Sequence, residues 1–177
     1  MVYINHSMNN DRHIIITGFM GSGKSTIARR LAFILGREML DLDHMIAGHV
    51  GRTAQEIIEQ DGEDSFREIE TQTLQDVLAN SFPVVIALGG GAWTIKRNRK
   101  LIHQYSGITV WLDAPFDLCW ERILRSGGGR PLARDEAQAR SLYAKRRPLY
   151  ALAQLRVEVP ANKSTDNISA EIAQALR

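Results

Sequence analysis

The sequence predicts an α/β domain in which a parallel β-sheet is covered on both faces by helices. Three observations predict it. Short apolar runs alternate with segments of helical period, the runs are near-continuous rather than apolar-polar alternating, and a glycine-rich loop joins the first run to the first helix. A sheet with one wet face would show alternation along each strand, and these runs do not. With 177 residues, 44% hydrophobic and 24% charged, the chain has globular composition and enough length for one sizeable core.

The elements follow in order. Residues 1–11 are polar and rich in Asn, with neither an apolar core nor a small-residue cleavage pattern, so they read as a loose tail before one domain over 12–177. Ile14 to Thr17 is the first strand, and Thr26 to Leu35 the first helix. Between them lies Gly18-Phe19-Met20-Gly21-Ser22-Gly23-Lys24-Ser25-Thr26. Strand, glycine loop and helix in this order make a phosphate-binding P-loop. Glycines let backbone N–H groups turn toward phosphate oxygens, and the helix N-terminus favours their charge. Lys24 reaches the β- and γ-phosphates, and the Ser25 hydroxyl suits Mg²⁺. Gly21, Ser22, Gly23, Lys24, Ser25 and Thr26 are therefore the expected nucleotide contacts.

Glu38 to Leu42 is a short second strand that ends in Asp41-Leu42-Asp43. Residues two apart share a strand face, so both carboxylates can point at the phosphates, one toward Mg²⁺ through water and one toward a substrate hydroxyl. The alternative is that Asp43 only caps the next helix. Helical patterns follow at His44 to His49, Ala54 to Glu59 and Glu63 to Asn80, with Gly62 as the break. Arg67 and Glu70, three apart, can pair and aim the guanidinium at a carboxylate ligand; a solvated ion pair is the alternative.

Val84 to Leu88 is the third strand and runs into Gly89-Gly90-Gly91, expected as a ligand-facing turn, although close helix packing would also explain three glycines. Lys96 to Tyr105 is helical, and its run of Lys96, Arg97, Arg99 and Lys100 reads as a solvated face. A net charge of +2 gives no reason to expect a nucleic-acid partner. Ile108 to Leu112 is the fourth strand, followed by a helix over Pro115 to Arg125 in which the single Cys119 reads as core packing. Ser126-Gly127-Gly128-Gly129-Arg130-Pro131-Leu132 has the composition of a lid, or else of an ordinary surface loop. A helix over Glu136 to Ala153 carries Lys145-Arg146-Arg147 and a turn that ends near Pro148; the bland reading is a cationic helix end. Leu155 to Val159 and Thr165 to Leu176 complete the set as fifth strand and last helix.

No apolar run approaches the roughly 20 residues that span a bilayer. One cysteine excludes an internal disulfide, and a cytoplasmic protein with no membrane partner is expected. His44 and His49 lack partners for a zinc site.

Taken together, the GxxGxGKST loop, the DxD at Asp41 to Asp43, the FRxxE pattern at Phe66 to Glu70, the GGG turn, Arg130-Pro131-Leu132 and the RxPLY pattern at Arg146 to Tyr150 resemble the shikimate kinase family. The resemblance runs from about His13 to Tyr150. It implies a three-layer P-loop kinase fold with a five-stranded parallel sheet in order 2-3-1-4-5, substrate helices over about 43–80 and a lid over about 126–134. The implied reaction passes the γ-phosphoryl of ATP to the 3-hydroxyl of shikimate, with Mg²⁺ as cofactor, in a monomer. Carried over by position, Ser25 becomes the direct Mg²⁺ ligand and Asp41 its water-mediated partner, Lys24 binds the phosphates, and Asp43 holds the substrate hydroxyls and accepts the proton. Arg67 and Arg146 grip the carboxylate, Gly90 contacts the substrate within the turn of Gly89 to Gly91, Arg130 closes on the transferring phosphoryl, and Arg125 stacks on adenine. Against the family pattern, the segment from Arg125 to Arg130 is short, Ile58 replaces a phenylalanine that lines the pocket, and Trp93 adds bulk after the glycine turn. A kinase of another hydroxy acid such as gluconate, or a P-loop binding module without catalysis, are the alternatives.

Overall fold

A computed structural model describes residues 11–126 and 135–177; the tail assigned to the first residues and Arg130, with most of the segment assigned as a lid, lie outside them. Five strands, β1 (Ile14–Thr17), β2 (Met39–Asp41), β3 (Val85–Ala87), β4 (Ile108–Asp113) and β5 (Leu155–Glu158), form one sheet. Every pairing is parallel and the order is β2-β3-β1-β4-β5, the order that the family resemblance implies.

The apolar runs explain the centre of this sheet. Ile14, Ile15 and Ile16 on β1 lie beside Val85, Ile86 and Ala87 on β3 and beside Ile108, Thr109 and Val110 on β4, and all nine are buried. Both faces are covered, so the strands carry no polar alternation. Each such aliphatic side chain contributes about 1.5–3 kcal/mol through burial. The edge strand β2 is shorter than its apolar pattern and only half-buried.

Among the described residues eight helices flank the sheet: α1 (Lys24–Leu35), α2 (Leu42–Val50), α3 (Ala54–Asp61), α4 (Glu63–Leu78), α5 (Lys96–Gln104), α6 (Phe116–Arg125), α7 (Glu136–Tyr150) and α8 (Thr165–Ala175), with a 3₁₀ turn at Ala92–Thr94. Helix α1 packs on α8, while α4 packs on α2, α3 and α5. Local chemistry sets the boundaries. Thr53 and Glu56 form a reciprocal capping box at the start of α3, and Asp135 and Ser164 cap α7 and α8. Two boundaries differ from the sequence reading. Strand β2 stops at Asp41 because that carboxylate accepts from the N–H groups of Asp43 and His44 and so begins α2. Asp41 is thus the cap, and Asp43 lies inside the helix rather than on the strand face. Helix α7 passes through Pro148 and ends at Tyr150, short of the Ala153 to which the helical pattern runs. A proline in the last turn loses one helical bond. Trp93 Nε1 donates to the Leu149 carbonyl at 2.8 Å, which holds that end in place.

Candidate active site

The glycine loop follows β1 at the carboxyl end of the sheet, where open α/β sheets place their ligands. Gly21 has φ of 77°, and a Cβ there would lie 2.5 Å from the Cys119 carbonyl oxygen, so the loop both turns and presses against α6 in a way only glycine allows. Cys119 is buried in that contact, and burial pushes its thiol up to about 11, which suits packing and not nucleophilic attack. Gly23 caps α1 and Lys24 begins it.

A cavity of about 410 Å³ opens above the loop, lined by Gly21, Gly23, Lys24, Ser25 and Thr26 together with Asp41, Asp43, Gly90 and Arg122. Ser22 is absent from this lining. Its hydroxyl is buried without a hydrogen-bond partner among the described residues, and its N–H is spent on the Phe19 carbonyl. Lys24 Nζ donates to the same carbonyl at 3.0 Å, which folds the side chain back along the loop. The helix N-terminus, the loop amides and the two cations Lys24 and Arg122 make this an anion site of the size of phosphate groups.

Ser25 Oγ donates to Asp41 Oδ2 at 2.5 Å. Burial raises the Asp41 carboxyl, but hydrogen bonds from Ser25 and His44 outweigh it and hold the group below its ordinary value. An ionised carboxylate beside a hydroxyl is a pair of hard oxygen donors. Among the described residues no cluster of three His, Cys, Asp or Glu side chains exists. Two protein oxygens with the remainder from water and phosphate fit a small hard cation, and the residues present therefore fit Mg²⁺.

A second cavity of about 90 Å³ adjoins the first and shares Met20, Asp43 and Gly90 with it. Its walls are Ile58 and Phe66, the turn Gly89 to Gly91, and the side chains of Arg67, Glu70 and Arg146. Arg67 Nη1 donates to Glu70 Oε2 at 2.9 Å and Nη2 to Glu63 Oε1 at 2.9 Å, so α4 clamps the guanidinium from both sides. Arg146 reaches in from α7 and is 8% exposed. Glu70 is fully buried, with Oε1 unpaired among the described residues, and burial pushes its carboxyl up to about 7 against the pull of Arg67. A Cβ on Gly89 would come within 2.7 Å of Asp43 Oδ1 and 3.0 Å of Glu70 Oε1, so the turn seats both carboxylates. Two arginine forks opposite a carboxylate, next to a phosphate site, can hold a small carboxylic acid with a hydroxyl aimed at Asp43.

Two positions named in the sequence reading lie outside the cavity linings. Arg125 is 76% exposed and pairs with Glu121, whereas Arg122 lines the phosphate cavity and donates to the Gly21 carbonyl at 3.2 Å. The helical period decides this: Arg122 follows the buried Cys119 by three residues and shares its stripe, while Arg125 falls on the solvent side. Trp93, in the 3₁₀ turn itself, is buried and does not line the cavity. Its bulk supports α7, while Ile58 does line the pocket. Glu70 was legible as the partner of Arg67 though not as a pocket wall, Tyr150 only as a letter of a motif, and Met20 and His44 of the cavity walls carried no site signal. Among the described residues no helix is long and apolar enough to cross a membrane.

The model of the family described as shikimate kinase matches residues 20–177. A shikimate kinase of Synechococcus sp. (strain RCC307) is 40% identical over 167 residues, covering 93% of this chain and 84% of that protein. One from Geobacter sulfurreducens is 37% identical, covering 96% and 93%. Among solved structures, shikimate kinase from Acinetobacter baumannii in complex with shikimate superposes with a TM-score of 0.87 at 36% identity, covering 96% of this chain and 95% of that one. A gluconokinase from Sinorhizobium meliloti 1021 shares the fold, with a TM-score of 0.69 at 19% identity over 94% of this chain and 92% of that one. A family model that starts within the glycine loop and runs to the last residue, with relatives that span almost the whole length, leads to one conclusion: the chain belongs to the shikimate kinase family.

Proposed function

We propose that the chain transfers the γ-phosphoryl group of ATP to the 3-hydroxyl of shikimate, giving shikimate 3-phosphate and ADP on the route to chorismate and the aromatic amino acids. The observation that carries this reading is the convergence of Arg67 and Arg146 with Asp43 on a small pocket that opens into the P-loop cavity. Family membership supports ATP as the donor.

Each residue then has a task. Loop amides and Lys24 bind the β- and γ-phosphates, and Arg122, rather than Arg125, lies on the nucleotide side. Ser25 and, through water, Asp41 would hold Mg²⁺, which would neutralise charge on the phosphates when bound. Arg67 and Arg146 grip the shikimate carboxylate with matched forks, and the Gly89 to Gly91 turn supports the ring. This turns the 3-hydroxyl toward Asp43. As its oxygen bonds to the γ-phosphorus and the bond to the β-phosphate oxygen breaks, the hydroxyl proton passes to the Asp43 carboxylate. The transition state is loose, with charge on the equatorial oxygens, so positioned cations matter more than a strong base. Arg130 is proposed to meet that charge. The reaction is placed in the cytoplasm, in a monomer whose residues 12–177 act as one domain with shikimate as its small-molecule partner.

The test is a coupled ADP-release assay with Mg-ATP that compares shikimate, gluconate, quinate and no acceptor. Turnover that needs shikimate is expected. Equal rates with every acceptor would remove shikimate as the substrate.

A further inference from the structure

Helix α7 delivers more than Arg146 to the pocket. One turn further on, Tyr150 is 1% exposed, and its ring stacks on Trp111 with centroids 6.4 Å apart. Its hydroxyl donates to the Gly90 carbonyl at 2.5 Å, across 60 residues of sequence. The Arg146 guanidinium lies near enough to draw the phenol's pKa down against burial. One buried phenol therefore holds a backbone group of the glycine turn and lies beside a cation of the pocket. Burial pushes this phenol up to about 12, against the pull of Arg146, so it keeps the proton that it donates.

A tyrosine hydroxyl has one hydrogen to give, and here it goes to the Gly90 carbonyl. The Gly90 carbonyl shares a rigid plane with the Gly91 N–H, so fixing the carbonyl fixes the roll of the whole turn. A Cβ on Gly90 would lie 3.5 Å from Met20 N and 3.9 Å from Arg146 Nη1, so this peptide sits beside the guanidinium. Arg146 carries a planar fork, whose value for a carboxylate depends on its orientation.

We propose that Tyr150 is a positioning residue for shikimate, its hydroxyl setting the direction of the Gly90 peptide that the Arg146 guanidinium faces across the pocket. This rests on the substrate reading above. The phenol lines neither cavity, so it acts through the peptide it holds.

Tyr150→Phe keeps the ring and removes only the oxygen. The expected result is a rise of about tenfold in the shikimate KM, with the ATP KM within about twofold of wild type, from the loss of a hydrogen bond at a buried site. Trp93→Phe serves as the control, because it removes the bond to Leu149 at the same helix end without touching Gly90. It should lower the melting temperature and leave the shikimate KM in place. An unchanged shikimate KM in folded Tyr150→Phe, or an equal rise in Trp93→Phe, would overturn the proposal. In the wild-type chain, the protected Tyr150 hydroxyl proton should give a slowly exchanging NMR resonance that shifts with shikimate and not with ADP; an equal response to both would also overturn it. Wild-type turnover measured alongside separates the two readings. Loss of shikimate dependence there fails the substrate assignment, whereas unchanged variant kinetics beside a shikimate-dependent wild type fail only the role of Tyr150.

Discussion

Gly91→Ala tests how tightly Arg67, the proposed carboxylate arginine, is seated. Gly91 has φ of −100° and ψ of −20°, which alanine adopts freely, so the substitution brings no backbone strain. What it brings is a methyl group 2.5 Å from Arg67 Nη2, 2.8 Å from Nη1 and 2.9 Å from Cζ. Ordinary contact begins at 3.4 Å, so the guanidinium must retreat by about 1 Å. Its bonds to Glu63 and Glu70, both 2.9 Å, leave no direction that preserves them and the aim of the fork. A charge-assisted hydrogen bond is worth about 1.5–3 kcal/mol, which corresponds to a rise in the shikimate KM of roughly ten- to a hundredfold. The moving group ends a flexible side chain, so the fold should lose no more than about 1 kcal/mol. The assay is steady-state ADP release at saturating ATP with shikimate varied, beside a thermal melt. A folded Gly91→Ala protein with a wild-type shikimate KM, or with an equal rise in the ATP KM, would refute the placement of Arg67.

Three further outcomes are expected. Arg122→Ala should raise the ATP KM about tenfold through loss of a cation at the phosphate cavity, while Arg125→Ala stays within about twofold; the reverse order, read by the same assay, would restore Arg125. Asp43→Asn should lower kcat by about 100-fold or more while circular dichroism and nucleotide affinity persist, and near-normal turnover would remove Asp43 from the proton transfer. Native Glu70 keeps its proton up to about 7, whereas the unfolded chain releases it near 4.5, so the native state binds more protons in that window and loses stability as pH rises through it. Glu70→Gln should flatten that slope in urea titrations between these pH values, and an unaltered slope would mean that the buried carboxyl is ionised throughout.

Much of the fold was legible because it rests on local pattern. Ile14 to Ile16 and Ile108 to Leu112 announce buried strands by continuity, and Gly62 separates α3 from α4 as its composition suggests. Misplacements arose where two local readings competed. Asp41 ends a strand and caps a helix at once, and the capping bonds won over the strand pattern that would have carried on to Asp43. Arg122 and Arg125 are both arginines at the end of α6, and only the stripe through Cys119 tells them apart. The bond from Tyr150 to Gly90 and the one from Trp93 to Leu149 join residues distant in sequence, and no window of neighbouring letters contains either. The pairing of Arg67 with Glu70 lay within one helical turn and was readable for that reason.

Asp41 divides its two oxygens between two parts of the molecule. Oδ2 accepts from Ser25 at the phosphate loop, while Oδ1 accepts from the N–H groups of Asp43 and His44 in the first turn of α2. Any group that draws on Ser25 therefore bears on the one carboxylate that holds the turn carrying Asp43. The phosphate loop and the turn that carries Asp43 meet in a single side chain, which gives any coupling between their occupancies a route. By reciprocity, whatever factor bound nucleotide applies to shikimate affinity, bound shikimate must return to the nucleotide.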